Sequence, residues 1–379
     1  MARYDLADEY FNRSYETVAG TPREEMPVVY ALFCRQPGMM AGVKDVADFL
    51  QGRCAGPLTV RALPDGERFE PLQIVMTLEG PFGQLVTMET TCLGLLSLSA
   101  AAANMADIVD AAGDVSVIDM SARHYPPELV EAIALAAAIG GAAGTSTPSG
   151  HSVVHERFGA GDGRIQIGRQ QPRYFNLYGT IPHALNAVYQ GSSIESAAAY
   201  LEKHPEVPLT VLLDFEGRER EICAEAVRRF GYQLSAVRID TPASRIIQGG
   251  HEKVTRSLEM RVLSQGRDRA AAMDALTRYG AGPGVTIEAA YSIRDLLDSM
   301  GAKSTRIVLS SGFDLDKVRA FRAASAPMDF IGTGSWVKFS AFTGDIIRVF
   351  EDGKWVDRCK AGRRDELIEV PDLPVVLAK

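Results

Sequence analysis

Cysteine is scarce in this sequence of 379 residues, and the cysteines it has are far apart. There are five, an odd number, and no two of them form a Cys-x-x-Cys pair: Cys34, Cys54, Cys92, Cys223 and Cys359. The sequence therefore indicates neither a disulfide framework nor a structural zinc site. We predict no metal ligands, and we expect a reducing compartment, the cytoplasm.

Long apolar runs are also missing. No window reaches the roughly 18 uncharged apolar residues that a membrane span needs, and the first residues lack the apolar core of a signal peptide. Residues 93–105 are the most apolar stretch, but their length and their small side chains suit a buried helix better. We therefore expect no membrane partner.

Positive charge is not in excess either. Forty Lys and Arg residues stand against 48 Asp and Glu residues, which gives a net charge of -8 and an isoelectric point near 5.4. Such a chain has no general attraction to nucleic acid, so we expect no nucleic-acid partner. An anionic substrate would need a local basic pocket. Hydrophobic residues at 46% and charged residues at 23% are ordinary for a globular protein.

The chain is longer than the roughly 250 to 300 residues that one hydrophobic core usually serves, so we expect two domains. Between residues 28 and 78, short apolar runs separated by Gly and Pro indicate a small sheet-rich domain. A hairpin pattern with an Asp352-Gly353 turn follows near the end of the chain. We predict an N-terminal helix and sheet-rich domain in residues 1–110, a barrel-like domain in residues 111–343, and a return to the first sheet in residues 344–379.

From residue 115 onward the pattern alternates between apolar, strand-like runs and helical runs. The predicted strands are residues 115–120, 209–213, 236–239, 285–289, 306–309 and 328–331. The predicted helices are residues 127–139, 218–230, 252–265 and 315–323. Such alternation with nearly continuous apolar strands is typical of a parallel sheet. The number of units favours an α/β fold with an irregular or incomplete barrel beside the smaller sheet-rich domain.

One histidine stands at the start of a predicted helix, directly behind a strand-like run. Residues 174–178 have the aromatic character of a strand, Gly179-Thr180 is a turn, and Pro182 suits a first helical turn. His183 would therefore face the crevice at the carboxyl ends of parallel strands, where such proteins bind ligands. The alternative is a hydrogen-bonded structural histidine, which is the more frequent role of a lone histidine.

Polar residues follow several of the predicted strands. They are Arg123, Asp214, Arg238, Asp240 with Thr241, Ser311 with Gly312, and the Gly332, Gly334 and Ser335 turn. Glycine-rich strand ends of this kind bind phosphate through backbone N–H groups, although turns also need glycine, and an Asp after a strand is about as often a helix cap. In a barrel, all of these ends face one mouth, together with His183.

In this order the motifs resemble the nicotinate phosphoribosyltransferase family, most of all its short archaeal-type members. The resemblance rests on residues 8–11, 89–90, 111–114, Arg123, residues 140–146, 179–183, 213–214, 238–241, 311–312 and 332–335. It covers nearly the whole chain, and it implies a type II phosphoribosyltransferase fold. It also implies a homodimer or a higher oligomer whose active sites are shared between subunits.

The resemblance assigns roles to individual residues. His183 matches the histidine that ATP phosphorylates, and Asp214 and Asp240 match carboxylates that act around the ribose and the base. The base-binding set is Tyr10, reaching across the dimer, with Met120, Ser146 and Arg238. The phosphate and ribose set is Arg123, Thr241, Ser311, Gly312, Gly332, Gly334 and Ser335. Ser146 stands where the related nicotinamide enzymes carry an aspartate, and a hydroxyl there does not repel a substrate carboxylate.

Three departures from the family pattern concern the ring pocket. Met120 stands where the family has a second base-stacking aromatic, Asp214 is followed by Phe215-Glu216 in place of Thr-Tyr, and Ser310-Ser311 is less glycine-rich than usual. Residues 267–303 have no clear counterpart in the short members. The fold tolerates such changes, whereas the identity of the base depends on them.

The activity that the resemblance implies is transfer of a phosphoribosyl group. Nicotinate and phosphoribosyl pyrophosphate would give nicotinate mononucleotide and pyrophosphate, with Mg²⁺ as cofactor and ATP as co-substrate, in salvage of NAD. Two alternatives stay open at this point. One is a phosphoribosyltransferase for another carboxylated aromatic ring, including a quinolinate-type decarboxylating enzyme, and the other is a non-catalytic paralogue that binds a nucleotide.

Overall fold

The structure, a computed structural model, describes residues 4–266 and 268–379 and is a mixed α/β fold with two main sheets. In chain order the strands are β1 (Pro27–Cys34), β2 (Gly38–Met39), β3 (Thr59–Ala62), β4 (Arg68–Phe69), β5 (Ile74–Pro81), β6 (Ser116–Asp119), β7 (Gly144–Thr145), β8 (Arg164–Ile165), β9 (Arg173–Tyr174), β10 (Asn176–Leu177), β11 (Leu209–Leu212), β12 (Leu234–Ile239), β13 (Arg306–Leu309), β14 (Phe330–Thr333), β15 (Phe342–Glu351), β16 (Lys354–Asp357) and β17 (Val375–Ala378).

The helices alternate with these strands. In chain order they are α1 (Glu9–Val18), α2 (Val43–Arg53), α3 (Phe82–Leu85), α4 (Glu89–Leu95), α5 (Ser99–Ala112), α6 (Val130–Ile139), α7 (Pro148–Phe158), α8 (His183–Val188), α9 (Ser193–Lys203), α10 (Glu219–Phe230), α11 (Arg256–Gln265), α12 (Arg269–Tyr279), α13 (Ile287–Ser299), α14 (Leu315–Ala323) and α15 (Arg363–Glu366). Short 3-10 turns add Ala122–His124, Pro127–Leu129 and Gly231–Gln233.

The first sheet is antiparallel and joins both ends of the chain. Its strand order is β16-β15-β1-β5-β3-β17. Every residue of β1 after Pro27 is buried, because alternate side chains of this strand face two different cores. Leu32 packs in the core that includes α2 and α4, and Phe33 packs with Leu367 and Leu373 from the C-terminal segment. The predicted sheet-rich domain built from both chain ends is confirmed.

The second sheet is parallel, in the order β10-β7-β6-β14-β13-β12-β11. Starting from the β11 edge, the strands follow one another as β11, β12, β13, β14, β6, β7 and β10. This is the order of the strands along the chain, except that it starts at β11 and continues from β14 to β6. The two edge strands are therefore neighbours along the chain that do not pair with each other. The sheet is a barrel with one open seam, between β10 and β11, and the predicted incomplete barrel is confirmed.

Between the two sheets runs the most apolar helical stretch of the described residues. By length and composition alone, Glu89–Ala112 could cross a membrane, and 44% of its most apolar window is buried inside the protein. The stretch consists of α4, in the core of the first sheet, and α5, in the core of the barrel. A core helix passes the same test, and the packing of α4 and α5 agrees with the buried helix predicted from the sequence.

The strand predicted at residues 285–289 is wrong. The run Val285-Thr286-Ile287 is rich in β-branched residues, which favour strands. In the structure Thr286 caps α13 instead, and its hydroxyl accepts a hydrogen bond of 3.2 Å from the backbone N–H of Ala289. The buried residues of α13 recur with helical spacing, at Ile287, Ala290, Ile293 and Leu297. The cap and this longer periodicity outweigh the short β-branched run.

The boundaries drawn at residues 110 and 343 stay a prediction, and they fall inside α5 and at the second residue of β15. The segment without a family counterpart, residues 267–303, contains α12 and α13, which pack on the barrel beside α14 and α10. Its first residue, Arg267, lies outside the described residues.

Two glycines with positive φ allow a matched test of how closely the start of α2 packs on α4. Gly42, before α2, has a φ of 97°, and a Cβ there would lie 2.3 Å from the carbonyl oxygen of Leu95. Gly20 has a φ of 72° and open space around the same position. We expect Gly20→Ala to lower the free energy of unfolding by about 1 kcal/mol, and Gly42→Ala to lower it by a further 1 to 3 kcal/mol, roughly, because of the clash. Urea unfolding of both variants measures the difference, and equal losses would contradict the close contact between Gly42 and α4.

Candidate active site

A cavity of about 680 Å³ opens at the carboxyl ends of the barrel strands. The sequence-predicted residues that line it are Met120, Arg123, Ser146, Arg238, Asp240, Ser311, Gly312, Gly332, Gly334 and Ser335. They follow five of the seven strands, and Tyr178 with Thr180 adds the end of β10. The predicted convergence of polar strand ends is therefore present. His183, Asp214, Thr241 and Tyr10 lie outside this lining.

Arg238 is the most heavily bonded side chain of the cavity. Its Nη2 donates to Oδ2 of Asp240, its Nε to Oγ of Ser310, and its Nη1 to Oγ1 of Thr180, each at 2.9 Å. Arg238 and Asp240 are two residues apart at the end of β12, so both face the interior of the barrel. The Ser310 hydroxyl in turn donates to Oδ1 of Asp240 at 2.7 Å. We call these four hydrogen-bonded residues, Arg238, Asp240, Ser310 and Thr180, the frame.

This frame leaves a defined binding capacity. A guanidinium has five N–H donors, and three of those of Arg238 are in use, so two are left for a ligand. The side chains of Arg238 and Asp240 are each only 17% exposed, which holds both charges in fixed positions. A planar anion such as a carboxylate matches the two remaining donors, and a hydroxyl or a developing positive charge matches Asp240.

His183 and Asp214 form a second polar pair beside the cavity. Nε2 of His183 lies 3.1 and 3.2 Å from the two carboxylate oxygens of Asp214. The Asp214 side chain is 5% exposed, whereas the His183 side chain is 45% exposed. His183 is the first residue of α8, as predicted, and Asp214 follows β11, so the pair bridges the open seam of the barrel. A buried carboxylate thus orients an accessible imidazole.

A buried acid holds the loop that carries Asp214. Glu219 has no exposed surface and accepts hydrogen bonds from the Arg245 guanidinium, the Thr241 hydroxyl and the backbone N–H of Gln248. Arg245 also donates to the backbone carbonyl of Asp214 at 2.8 Å. The side chain of Thr241 therefore faces this network and not the cavity. Its predicted contact with ribose or phosphate stays a prediction, and the structure uses the Thr241 hydroxyl to support the Asp214 loop.

The loop after β13 has an unusual backbone. Ser311 and Gly312 both have positive φ, 74° and 71°, a conformation that is uncommon for a serine and that points to a functional constraint. The side chain of Lys317 lies behind this loop, 9% exposed, and its Nζ donates to the carbonyl of Ser311 at 3.0 Å. Its Nζ also lies 4.5 Å from the centroid of the Phe313 ring. Burial lowers the pKa of Lys317 to about 8, although the Asp314 carboxylate acts in the opposite direction.

A second buried carboxylate holds the strand ends on the other side of the cavity. Asp119, the last residue of β6, is 2% exposed and accepts four hydrogen bonds. They come from the backbone and hydroxyl of Ser121, from the hydroxyl of Thr145 and from the indole of Trp336. Asp119 therefore fixes the positions of the neighbouring cavity residues, Met120 and Ser146.

Tyr10 lies on the sheet-rich domain, on α1, and 60% of its surface is exposed. Its ring packs on Phe11, and partial burial together with the carboxylates of Asp8 and Glu89 raises its pKa. It does not line the cavity of its own chain. Its assignment to the pocket of a second subunit stays a prediction.

Several residues of the site were missed from the sequence: Asp119, Tyr178, Thr180, Glu219, Arg245 and Lys317. Asp119 carried a signal, because an acid inside the apolar run Val117-Ile118-Asp119-Met120 needs buried partners. Lys317 carried none, because a lysine on the first turn of a helix is usually exposed. Its position behind the Ser311 loop depends on how α14 packs.

Comparison with known proteins agrees with this geometry. Residues 8–99 match the model of the quinolinate phosphoribosyl transferase N-terminal domain. A nicotinate phosphoribosyltransferase of Mycobacterium tuberculosis is 27% identical over 277 residues, 72% of this chain and 48% of that protein, so the chain spans about half of this relative's length.

Solved structures share the fold. The nicotinate-nucleotide pyrophosphorylase from Pyrococcus furiosus superposes with a TM-score of 0.70 at 24% identity, over 96% of this chain and 81% of that one. The human nicotinic acid phosphoribosyltransferase superposes with a TM-score of 0.56 at 18% identity, over 92% and 75%.

An open parallel barrel with a cavity at its strand ends, joined to an antiparallel sheet from both chain ends, is the type II phosphoribosyltransferase fold. The comparisons support the resemblance to this family that the ordered motifs indicated.

A substitution of Lys317 tests whether this buried lysine supports the Ser311 loop. Its ammonium is buried, and no described carboxylate forms an ion pair with it, so Lys317→Met removes a desolvated charge. We expect the variant to unfold at a higher temperature than the wild type at pH 7 and to bind inorganic pyrophosphate about tenfold more weakly, a loss of roughly 1.4 kcal/mol. Thermal unfolding and calorimetric titration measure the two effects.

The pH dependence has a defined sign. Lys317 loses its proton near pH 8 in the folded protein and near pH 10.5 in the unfolded chain. The free energy of unfolding of the wild type therefore rises with pH between these two values. The difference in stability between the wild type and Lys317→Met narrows over the same range. Arg319→Met is the matched control, because it removes an exposed cation from the same helix. Lower stability with unchanged pyrophosphate binding would make Lys317 a packing residue only.

Proposed function

We propose that this protein is a phosphoribosyltransferase that joins nicotinate to phosphoribosyl pyrophosphate, giving nicotinate mononucleotide and pyrophosphate for NAD salvage. The observation that carries the proposal is the frame of Arg238, Asp240, Ser310 and Thr180 in the strand-end cavity. The frame presents two N–H donors to a ring carboxylate and a carboxylate to the sugar. The relatives with nicotinate phosphoribosyltransferase in their names support the same reaction.

The reaction separates charge. As the bond from C1 of the ribose to pyrophosphate breaks, the sugar becomes cationic, and the ring nitrogen of the base forms the new bond to C1. Asp240 stabilises that cation or holds a ribose hydroxyl, because its position is fixed by Arg238 and Ser310. The glycine-rich ends at Gly312 and Gly334, with Arg123, receive the phosphates.

ATP assistance would act through His183. In the tautomer that has its proton on Nε2, Asp214 accepts the Nε2–H hydrogen bond and Nδ1 keeps its lone pair. Attack of Nδ1 on the γ-phosphate of ATP forms a nitrogen–phosphorus bond and releases ADP. The exposure of His183, 45% of its side chain, leaves room for a nucleotide.

Mg²⁺ fits this site as a companion of the substrate. Within residues 4–266 and 268–379, no group of three or more His, Cys, Asp or Glu side chains is placed to hold a metal ion. Mg²⁺ commonly binds through one or two carboxylates together with substrate phosphates and water. Asp240 is the carboxylate of the cavity that would contact it, and the ion would neutralise charge on the pyrophosphate.

A monocarboxylate suits the cavity better than a dicarboxylate. Its lining has two guanidinium groups, Arg123 and Arg238, and Asp240 offsets one of them. Ser146 adds a neutral hydroxyl. A quinolinate-type decarboxylating enzyme is the second candidate, because residues 8–99 match the N-terminal domain of that family. Its substrate would bring one more carboxylate than the two free donors of Arg238 can hold.

We also propose a homodimer in the cytoplasm. Tyr10 is exposed on α1 and lies away from the cavity of its own chain, which supports a role at the cavity of a second copy. All five cysteines are free, and four of them are buried, as expected in a reducing compartment.

The choice of base tests the proposal. With phosphoribosyl pyrophosphate, we expect kcat/KM for nicotinate to exceed that for nicotinamide about ten- to hundredfold, because a charge-assisted hydrogen bond contributes roughly 1.5 to 3 kcal/mol. Quinolinate should be turned over more slowly than nicotinate. Ser146→Asp should lower the use of nicotinate and spare nicotinamide, because the new carboxylate repels the acid. Equal or better use of the amide by the wild type would refute the assigned pocket.

The histidine step has a direct assay. Incubation with ATP labelled at the γ-phosphate should give an acid-labile phosphoprotein, and His183→Ala should abolish the label. His204→Ala is the matched control, because His204 is similarly exposed and lies at the end of α9. Asp214→Asn should reduce the rate of labelling, since the amide NH2 can donate to Nε2 and so favour the tautomer that has its proton on Nδ1. A label that survives in His183→Ala would place the modification elsewhere.

A further inference from the structure

A second cavity adjoins the first one inside the barrel. It measures about 350 Å³ and shares four lining residues with the active-site cavity: Met120, Tyr178, Gly179 and Thr180. Its other walls are largely apolar and include Ile118, Val308 and Phe330. Pro208, just before β11, also lines it, so the cavity lies along the open seam.

Tyr178 is the aromatic residue that lines both cavities, and its ring is held from two sides. A Cβ on Gly144 would lie 2.7 Å from Cε2 of Tyr178, so the ring rests directly on the backbone of β7. The Phe330 ring meets it edge-on, with the centroids 6.0 Å apart and an interplanar angle of 62°. These contacts fix the ring between the two spaces.

Met120 completes the partition. Its Sδ lies close to Gly332, where a Cβ would come within 2.5 Å of the sulfur. A thioether is flexible and adapts to the shape of its neighbours, whereas a ring held on two sides does not. Of these two side chains, Tyr178 is therefore the rigid wall.

We propose that Tyr178 determines the size of the base: its ring ends the base pocket and excludes carboxylated aromatic bases that carry a bulky apolar group. The proposal rests on the proposed function and refines the substrate class of the same site. Without the phenol ring, the base pocket and the apolar second cavity become one space. The enlarged pocket then accepts ring acids such as 5-phenylnicotinate or isoquinoline-4-carboxylate, whose added groups are apolar like the walls around Val308.

The experiment compares Tyr178→Ala with Tyr178→Phe. For each protein, kcat and KM are measured with nicotinate, 5-phenylnicotinate and isoquinoline-4-carboxylate at saturating phosphoribosyl pyrophosphate. We expect the wild type and Tyr178→Phe to prefer nicotinate. In Tyr178→Ala, the ratio of kcat/KM for the better of the two larger acids to that for nicotinate should rise at least tenfold, mainly through a lower KM for the larger acid.

A double variant tests whether the larger acids are accepted because the Tyr178 ring is gone or because the barrel has become less rigid. Ala236 lies on β12 and lines the second cavity but not the first, so Tyr178→Ala/Ala236→Leu refills the opened space. We expect this variant to lose the gained use of the larger acids. An unchanged ratio in a folded Tyr178→Ala, or a gain that Ala236→Leu leaves intact, would overturn the proposal. Tyr178→Leu replaces Tyr178→Ala if the latter does not fold.

The same proteins separate this proposal from the proposed function. Failure of the wild type to use nicotinate with phosphoribosyl pyrophosphate would remove the proposed function alone. Binding of the ring acids, measured by the shift of the thermal unfolding midpoint, then decides the role of Tyr178. A shift by the larger acids in Tyr178→Ala but not in the wild type supports the wall, and equal shifts in both refute it.

Discussion

The open seam of the parallel barrel is the constraint on which the site depends. Backbone hydrogen bonds join every neighbouring pair of strands except β10 and β11. At the carboxyl end of this gap, side-chain hydrogen bonds connect the two edges instead. Arg238 donates to Thr180, and His183 is hydrogen-bonded to Asp214. Both contacts join a residue after β10 to one on or after the strands beyond the gap. The residues proposed for chemistry therefore also hold the mouth of the barrel together.

Buried charges set the positions of the other strand ends. The Asp119 carboxylate accepts four hydrogen bonds on one side of the cavity, and the Glu219 carboxylate accepts three on the other. Such groups are costly to bury unless every partner is present. Lys317 is the exception, because in the described part of the chain its ammonium has one hydrogen-bond acceptor and no carboxylate in an ion pair with it. Its charge lies behind the Ser311 loop, where a phosphate of the proposed substrate would compensate for the missing partner.

The two halves of the cavity have different chemistry. The ends of β12, β13 and β14 contribute Arg238, Asp240 and the glycine-rich loops, which suit a carboxylate, a sugar and phosphates. The ends of β6, β7 and β10 contribute Met120, Ser146 and Tyr178, which suit a ring. One departure from the family pattern, Met120, falls in the second half. The wall beside the ring consists of this methionine and Tyr178.

The sequence by itself predicted the alternation of strands and helices in the barrel and the resemblance to the family. Apolar periodicity and turn residues are local properties, so β13 and α14 agree with the pattern residue for residue. The polar strand ends were also found, because parallel strands bring their carboxyl ends to one edge. The error at residues 285–289 came from a β-branched run whose threonine is a helix cap.

Only the tertiary structure decided which of these polar residues meet. Arg238 reaches a threonine 58 positions away, His183 an aspartate 31 positions away, and Thr241 turns from the cavity to Glu219. Such pairings depend on the curvature of the sheet and on the location of its seam, which no local pattern encodes. The same holds for Lys317 and Tyr178, because helix packing buried the first and the missing side chain of Gly144 made room for the second.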